Sequence, residues 1–400
     1  MTRTSIEHLP VEAVVERDAW SRQLAALARE PLELCEDFPS IAARHEAWWR
    51  GEVIDRPLWF AARQIDPSRR GGKHLDLLLA DPDRWFEESR ADLLNTRQIG
   101  DALPSIRVDF GPVILGGLFG GRTEFGSNTT WTHPFIDDDW LVPPLVPRTS
   151  GSEGSDSEGS HAPDWTIDET GPFWTTLVRL MERVSADARG RYLVRTPDWG
   201  GSADVLLNLR GSEALCIDCL ERPDVVKRAV DAIYPAWRRA WTTCHRIALG
   251  NGAGIIHWIG LWSNEPYLIP ACDFNYLIGP REFDAIFLAD IARQTATAGR
   301  GVFHLDGPGA TKHIDALLEI PELRAIQYVT GAGTPAALPW VDMFRKIQSA
   351  GRSLCISCYA EEVMPLLDVL KPEGLSFFPY AGPKGVDPAD VFDAMCRRFA

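Results

Sequence analysis

The pair His304 and Asp306 is the part of this sequence best suited to chemistry. Both residues lie in the apolar run Gly301–Asp306, which predicts a buried strand that stops at a Gly-Pro-Gly break. Because side chains alternate between the two faces of a strand, these two must point the same way. An imidazole and a carboxylate at one strand end can bind a metal ion or transfer a proton. Alternatively, Asp306 caps the helix that begins near Pro308.

The elements that must position this pair alternate between strand and helix. Eight short apolar runs predict strands buried on both faces, at 57–64, 106–115, 192–197, 254–262, 301–306, 325–330, 353–357 and 375–380. Helical patterns occupy 212–249, 280–298, 310–319, 336–350, 360–370 and 388–399. Such alternation predicts a parallel sheet in an α/β protein. Eight runs favour a (β/α)8 TIM barrel, with a doubly wound sheet as the alternative.

The chain is predicted to have one main domain with an extension and an insert. Residues 1–50 form the N-terminal helical extension, with helical patterns at 9–30 and 40–50, and residues 51–400 form the barrel. The segment 149–163 (SGSEGSDSEGSHAPD) has almost nothing to bury, so we expect a disordered acidic Ser/Gly insert there.

Charge and hydropathy restrict the partners of the protein. A net charge of −15 argues against nucleic acid and anionic membranes, because phosphate groups select basic surfaces. The sequence has neither a signal-peptide pattern at its start nor an apolar run of the ~18 residues that a membrane helix needs. We therefore expect a cytoplasmic protein with reduced cysteines and a small-molecule substrate. A homodimer is compatible with the sequence, although no feature requires one.

Several further candidate residues fall where predicted strands end, which is where barrel enzymes place their active sites. Arg63 ends the first run and either holds a substrate carboxylate or forms a surface salt bridge. Trp262 ends the fourth run, and Glu265 and Asp273 lie in the loop after it, where each either lines the barrel mouth or is simply solvated. Tyr380 ends the last run, where its hydroxyl can reach the pocket.

Three other residues have a functional and a structural interpretation. Cys358 follows the seventh run and is either a thiolate ligand or a small core residue. Asp101 precedes Ala-Leu-Pro, so a catalytic role and a turn role are equally plausible. His257 lies inside an apolar run, which predicts a core histidine.

A series of short motifs in a fixed order resembles the uroporphyrinogen decarboxylase superfamily. The motifs are GDALP at 100–104, FGP at 110–112, LRGSE at 209–213, RPDVV at 222–226, CDF at 272–274, LIGP at 277–280, the His304 strand, IQY at 326–328, GAG at 331–333 and PEGL at 372–375. This superfamily also contains zinc-dependent methyltransferases that transfer a methyl group from a corrinoid protein to a thiol such as coenzyme M. The resemblance covers roughly residues 50–395 and implies a (β/α)8 barrel with its site in the barrel mouth.

The functional residues only partly follow the superfamily patterns. By resemblance, Asp101 corresponds to the essential aspartate of the decarboxylases, but the Leu-Gly-His-Gly segment that they carry near the C-terminus has no histidine here. The methyltransferases bind zinc through His-x-Cys on one strand and a cysteine on the last. Here the pair is His304-x-Asp306, so a His/Asp zinc site would take Glu265 or Cys358 as its third ligand.

Three functions remain open from the sequence. The first is a metal-assisted methyltransferase in which zinc at His304 and Asp306 activates a small acceptor, with a methyl-corrinoid on a separate corrinoid protein or a similar donor. The second is a metal-free decarboxylase or lyase in which Asp101 and His304 handle protons while Arg63 holds a carboxylate. The third is a barrel that binds a ligand without catalysis.

Overall fold

The computed structural model describes residues 30–69, 71–112, 114–136, 138, 165–331 and 336–400. The predicted helix at 9–30 lies almost entirely outside the described residues, and the predicted insert at 149–163 lies entirely outside them. Twelve strands occur in the described part, namely β1 (Leu58–Gln64), β2 (Thr96–Gly100), β3 (Ser105–Arg107), β4 (Thr123–Phe125), β5 (Thr130–Thr132), β6 (Leu193–Arg195), β7 (Ile255–Ile256), β8 (Trp262–Ser263), β9 (Gly301–Asp306), β10 (Leu323–Val329), β11 (Ser353–Tyr359) and β12 (Leu375–Tyr380).

Helices connect and cover these strands. The α-helices are Phe38–Trp49, Leu77–Ala80, Pro82–Leu94, Ile114–Leu118, Pro172–Ala188, Ser202–Arg210, Ser212–Glu221, Pro223–Leu249, Pro280–Ile286, Leu288–Ala298, Ile314–Leu318, Val341–Ser349, Val363–Val369 and Pro388–Phe399. Short 3₁₀ helices are Asp273–Leu277, Pro308–His313, Leu338–Trp340 and Ala360–Glu362. Among these helices, none combines the length and the apolar character needed to cross a bilayer.

The strands form two larger sheets and one hairpin. One sheet has the order β2-β1-β12-β11-β10-β9, the other has the order β3-β6-β7-β8, and β4 pairs with β5. Pairing is parallel along β1-β12-β11-β10-β9 and along β3-β6-β7. Beyond β9, the segment 268–271 continues the sheet, because the His304 amide donates to the Pro270 carbonyl at 2.9 Å. The protein is therefore a mixed α/β protein with a central parallel sheet.

Each of the eight predicted runs contains a strand, but the hydrogen bonds between the described strands do not close a ring. In addition, two of the predicted runs are not single continuous strands. The run at 106–115 is a strand only in β3 and becomes the helix Ile114–Leu118. The run at 254–262 splits into β7 and β8, which pair antiparallel because the chain reverses at Gly260 (φ +78°).

The core accounts for most of the large apolar side chains. Strands β9 to β12 are buried along nearly their whole length, as parallel strands covered on both faces should be. Fully buried tryptophans include Trp48, Trp59, Trp85, Trp237 and Trp262, which fill the core with large apolar rings. The helix Phe38–Trp49, which includes most of the predicted 40–50 helix, packs Trp48 and Trp49 into the same core.

Candidate metal centre

Three potential metal ligands meet where β9 ends. One ligand atom from each of Asp273, His304 and Asp306 lies within 4.8 Å of the other two. His304 and Asp306 are two residues apart on β9, and they are its two residues that are only partly buried. Asp273 lies two residues after the segment 268–271, whose Ala271 bridges to His304 in parallel. Because adjacent parallel elements end at the same edge, all three side chains reach one place.

The chain breaks sharply after Asp306, and this frees the strand end. Gly307 has φ +74°, a left-handed conformation that strains any residue with a side chain. The 3₁₀ helix Pro308–His313 follows, and its first residue after Gly307 is a proline. Asp306 makes no capping contact with this helix, so the capping alternative for Asp306 has no support.

The orientation of His304 suits a metal ligand. Its Nδ1 lies 2.5 Å from Oε1 of Gln327, its register partner on β10, and donates a hydrogen bond to that oxygen. The tautomer with hydrogen on Nδ1 leaves the Nε2 lone pair free, and Nε2 lies 3.8 Å from Oδ1 of Asp273. Trp258 packs edge-to-face against the imidazole, with 5.1 Å between ring centroids. Metal-binding histidines commonly use their second ring nitrogen in this way.

Negative charge accumulates around His304. Desolvation and repulsion from Asp306 and Asp198 raise the pKa of Asp273 to about 7, although 51% of its side chain is accessible to water. Burial and repulsion from Asp273 likewise raise the pKa of Asp204 to about 7. Among the described residues, neither Asp273 nor Asp306 pairs with an arginine or lysine. A bound cation would relieve this repulsion.

The donor set fits a divalent metal. One imidazole nitrogen and two carboxylate oxygens are established zinc ligands, and catalytic zinc sites combine three protein ligands with an open position. Ligands at about 2.1 Å from zinc lie about 3.4 Å apart in a tetrahedral site, so the present spacing needs only a small contraction. Two carboxylates make the site harder than a cysteine-containing zinc site, which also suits Mn²⁺ or Fe²⁺.

Asp101 has a different environment from the one predicted. Its side chain is fully buried and accepts hydrogen bonds from Arg56 Nη1 at 2.5 Å, from Arg44 Nε at 2.6 Å and from the Trp59 amide at 2.9 Å. Burial by itself would raise the pKa of Asp101, but these bonds and the two arginine charges hold it below its usual range. A carboxylate held in this way links β1 to the chain entering β3 and is poorly placed to accept a proton.

The structure does not bring the two expected third ligands to His304. Cys355 is in register with Gln327, which is in register with His304, so side-chain alternation turns Cys358 to the opposite face of the sheet. Cys358 is fully buried there, and burial raises the pKa of its thiol. Glu265 is 54% exposed, with a carboxylate oxygen 4.0 Å from Arg300. Asp273, predicted as a substrate residue, occupies the third position instead.

Three predicted substrate residues, and His257, are not members of the ligand cluster. Trp262 begins the antiparallel strand β8 after the reversal at Gly260, and it lies in the core against Phe38, where its indole donates to the Ala253 carbonyl at 2.7 Å. The exposed Arg63 pairs with Asp387. Tyr380 is 39% exposed and lies 3.3 Å from the Thr330 hydroxyl. As predicted, His257 is a core histidine, bonded to Thr196 and Tyr267.

Sequence reasoning missed four residues near His304. Gln327 orients its imidazole, Trp258 packs on it, and Arg107 and Arg195 lie beyond Trp258. Their positions at strand ends offered a signal, since Arg107 and Arg195 are the last residues of β3 and β6. Nothing in the residue types alone separates them from surface arginines.

The comparisons with known proteins found a similarity of fold. No protein-family model and no curated protein matches the sequence. A methyltransferase from Methanosarcina mazei has a similar structure, with a TM-score of 0.53 over 90% of this chain and 98% of that chain, at 11% sequence identity. At this identity the similarity shows a shared fold alone.

Proposed function

We propose that this chain is a metal-dependent enzyme that transfers a methyl group to a small molecule. The observation that carries the proposal is the cluster of Asp273, His304 and Asp306, with its oriented imidazole and two carboxylates that no arginine or lysine of the described residues pairs with. The fold shared with a methyltransferase supports the reaction class. A metal ion at this position would polarise or deprotonate the acceptor, which makes it nucleophilic near neutral pH.

We further propose that the two sheets are parts of one (β/α)8 barrel. The order β3-β6-β7, then the segment 268–271, then β9-β10-β11-β12-β1 follows the chain order that a barrel requires. The candidate ligands then lie at the carboxyl ends of barrel strands, where barrel enzymes carry out their chemistry. The resemblance to the uroporphyrinogen decarboxylase superfamily fits the same arrangement.

The protein groups around the ligands have separate tasks. Gln327 keeps hydrogen on Nδ1 of His304, and Trp258 shields one edge of the imidazole from water. Asp198 lies close enough to raise the pKa of Asp273, and burial raises its own pKa, so it can accept a proton from the acceptor. The sequence contains no Asp-x-His-x-x-Gly cobalamin motif, so a methyl-corrinoid donor would come from a separate protein.

The alternative is a metal-free lyase or decarboxylase. One observation favours it, since an aspartate with a pKa near 7 can act as a general acid or base at neutral pH. Asp273 would then replace Asp101 in the predicted proton-transfer role, because Asp101 is bound by two arginines.

Metal analysis separates these functions. We expect protein purified without added metal to contain near-stoichiometric zinc or another divalent ion, and His304→Ala to lose it. The matched control is His133→Ala, because His133 also lies beside a carboxylate, at 2.9 Å from Glu124, but on the surface. The control should keep its metal.

A site can also lose its metal during purification. A calorimetric titration of the metal-stripped proteins with Zn²⁺ would still detect such a site. If wild type and His304→Ala bind Zn²⁺ equally, the metal-dependent function is wrong. If neither binds it, the lyase becomes the leading hypothesis. Metal binding without methyl transfer from any donor would favour a barrel that only binds.

A further inference from the structure

A cavity of about 350 Å³ is lined by residues of the helix Pro82–Leu94 and of strands β2, β3 and β6. Its wall combines apolar and charged side chains, among them Leu75, Trp85, Ser105, Arg107, Asp109 and Arg195. Cavities of this size accept small molecules and use a few polar groups to orient them.

Arg195 is the unusual group in this wall. Its Nε donates to the Ser105 hydroxyl at 2.7 Å and its Nη1 to the Trp258 carbonyl at 3.2 Å, which fixes the guanidinium in place. Within the described part of the chain, no carboxylate pairs with it and Nη2 has no hydrogen-bond partner. Gly260, whose φ of +78° favours glycine, leaves space next to Nη2, since a Cβ there would lie 3.3 Å away.

The neighbouring Arg107, in contrast, has carboxylates close to its guanidinium. Arg107 is the register partner of Arg195, and its Nη2 lies 2.5 Å from Asp109 and 4.0 Å from Asp198. Burial and the charge of Arg107 lower the pKa of Arg195 to about 10, so it still carries a positive charge at neutral pH. The charge of Arg107 is balanced locally, whereas that of Arg195 is not.

Trp258 connects two arginines of the cavity wall to the candidate metal centre. Its carbonyl accepts from Arg195, its ring lies 5.9 Å from the Arg107 guanidinium, and the same ring packs on His304. Arg195 and Arg107 therefore link the cavity to the candidate metal ligands through Trp258.

We propose that Arg195 binds the carboxylate of a small substrate whose short apolar part occupies the cavity. This inference rests on the proposed function, because it assigns the substrate class of the same site. A guanidinium offers two parallel N–H groups that match the two oxygens of a carboxylate. Leu75, Trp85 and Ile106 supply apolar surface for the remainder.

Calorimetric titration with benzoate, benzamide and phenylphosphonate tests this inference. We expect wild type to bind benzoate more tightly than its uncharged analogue benzamide and more tightly than phenylphosphonate. Arg195→Gln should weaken benzoate binding about tenfold or more, because it removes charge-assisted hydrogen bonds. Arg281→Gln is the matched control, since Arg281 is 87% exposed and pairs with its neighbour Glu282, and it should bind as wild type does.

Each contrary result overturns the inference. Equal binding of benzoate and benzamide by wild type would show that the ligand needs no negative charge. Tighter binding of phenylphosphonate would show that the site prefers a phosphonate to a carboxylate. Unchanged benzoate binding by Arg195→Gln would show that Arg195 does not bind the carboxylate. Arg195→Lys, which keeps the charge but not the fork, should show intermediate binding and replaces the glutamine variant if that one does not fold.

The titrations are made on metal-stripped protein and are therefore independent of the metal test. Benzoate binding without a metal site would leave the carboxylate site standing and remove the metal-dependent function. A metal site without benzoate binding would leave the metal-dependent function standing and remove the carboxylate site.

Discussion

Aspartate side chains have two opposite roles in this protein, one at Asp101 and the other at Asp273 and Asp306. Asp101 is fully buried and bonded to Arg44, to Arg56 and to a backbone amide, so its charge is balanced. Asp273 and Asp306 lie together beside a histidine without a balancing arginine or lysine in the described residues. The first arrangement stabilises the folded chain, whereas the second keeps repulsion that a ligand can relieve.

This comparison shows that the surroundings of a residue, rather than its type, separate structure from function. The two environments move the pKa in opposite directions, down for Asp101 and up for Asp273. A strongly raised carboxyl pKa beside a histidine and a cavity is a common mark of a functional site, while a carboxylate paired with arginines is typical of structural networks.

The largest expected effect is the loss of stability when Asp101 is neutralised. Asp101→Asn leaves Arg56, which is only 9% exposed, and Arg44 without their buried counter-charge. Breaking a buried ion pair from one side typically costs about 3–5 kcal/mol. We expect the free energy of unfolding in urea to fall by this amount.

The matched control for that variant is Asp55→Asn. Asp55 also lies near Arg44, at 3.6 Å, but is 53% exposed, so its loss should cost less than about 1 kcal/mol. Equal effects of the two substitutions would show that Asp101 is not a structural charge, and would return it to the list of catalytic candidates.

A smaller effect concerns the pH dependence of stability near Asp101. His45 is buried, its Nε2 lies 3.1 Å from the Asp101 carbonyl, and burial lowers its pKa to about 4. Because the unfolded histidine takes up a proton below about pH 6.5, the folded state loses stability as the pH falls from there towards 4. Between pH 7.5 and 5.5 this one group should cost about 1.4 kcal/mol.

The measurement is the change in unfolding free energy between these two pH values, for wild type and His45→Gln. The difference between the two changes isolates His45 from other titrating groups, such as Asp204, whose raised pKa acts in the opposite direction. Identical pH dependence in both proteins would mean that His45 is not held neutral in the folded state.

The smallest expected effect has the opposite sign to that of Asp101→Asn. Asp306→Asn removes one of the repelling charges around Asp273, so the metal-free protein should become more stable by up to about 1 kcal/mol. Asp368→Asn is the control, because it removes an exposed carboxylate that pairs with Arg398 at 2.7 Å, and it should not stabilise. Destabilisation by Asp306→Asn would show that its charge is balanced by a partner.

Much of the fold was predictable because buried parallel strands have a strong local pattern. All eight apolar runs contain strands, and β9, β11 and β12 coincide closely with their predictions. The errors occur where the chain turns or breaks within an apolar stretch. The predicted helix at 212–249 is two helices that divide at Arg222, because Pro223 begins the second. The helix Pro172–Ala188 and the antiparallel strand β2 were not predicted.

The candidate site was predictable where its members are close in sequence. His304 and Asp306 share a strand, so alternation alone places them on one face. Asp273 was predicted as a substrate residue in the barrel mouth and not as a metal ligand, since its approach to His304 depends on how the segment 268–271 pairs with β9. Cys358 was a candidate ligand until the register of three strands determined its face.

The sequence by itself determined the order of strands and helices, the shared face of His304 and Asp306, and the acidic character that disfavours nucleic-acid partners. These features depend on local periodicity and on composition. Tertiary structure alone decided that Asp101 meets two arginines, that Asp273 completes the cluster, and that no carboxylate among the described residues pairs with Arg195. Each of these depends on pairing between distant segments, because the environment that sets the pKa and charge balance of a side chain comes from residues far away in the sequence.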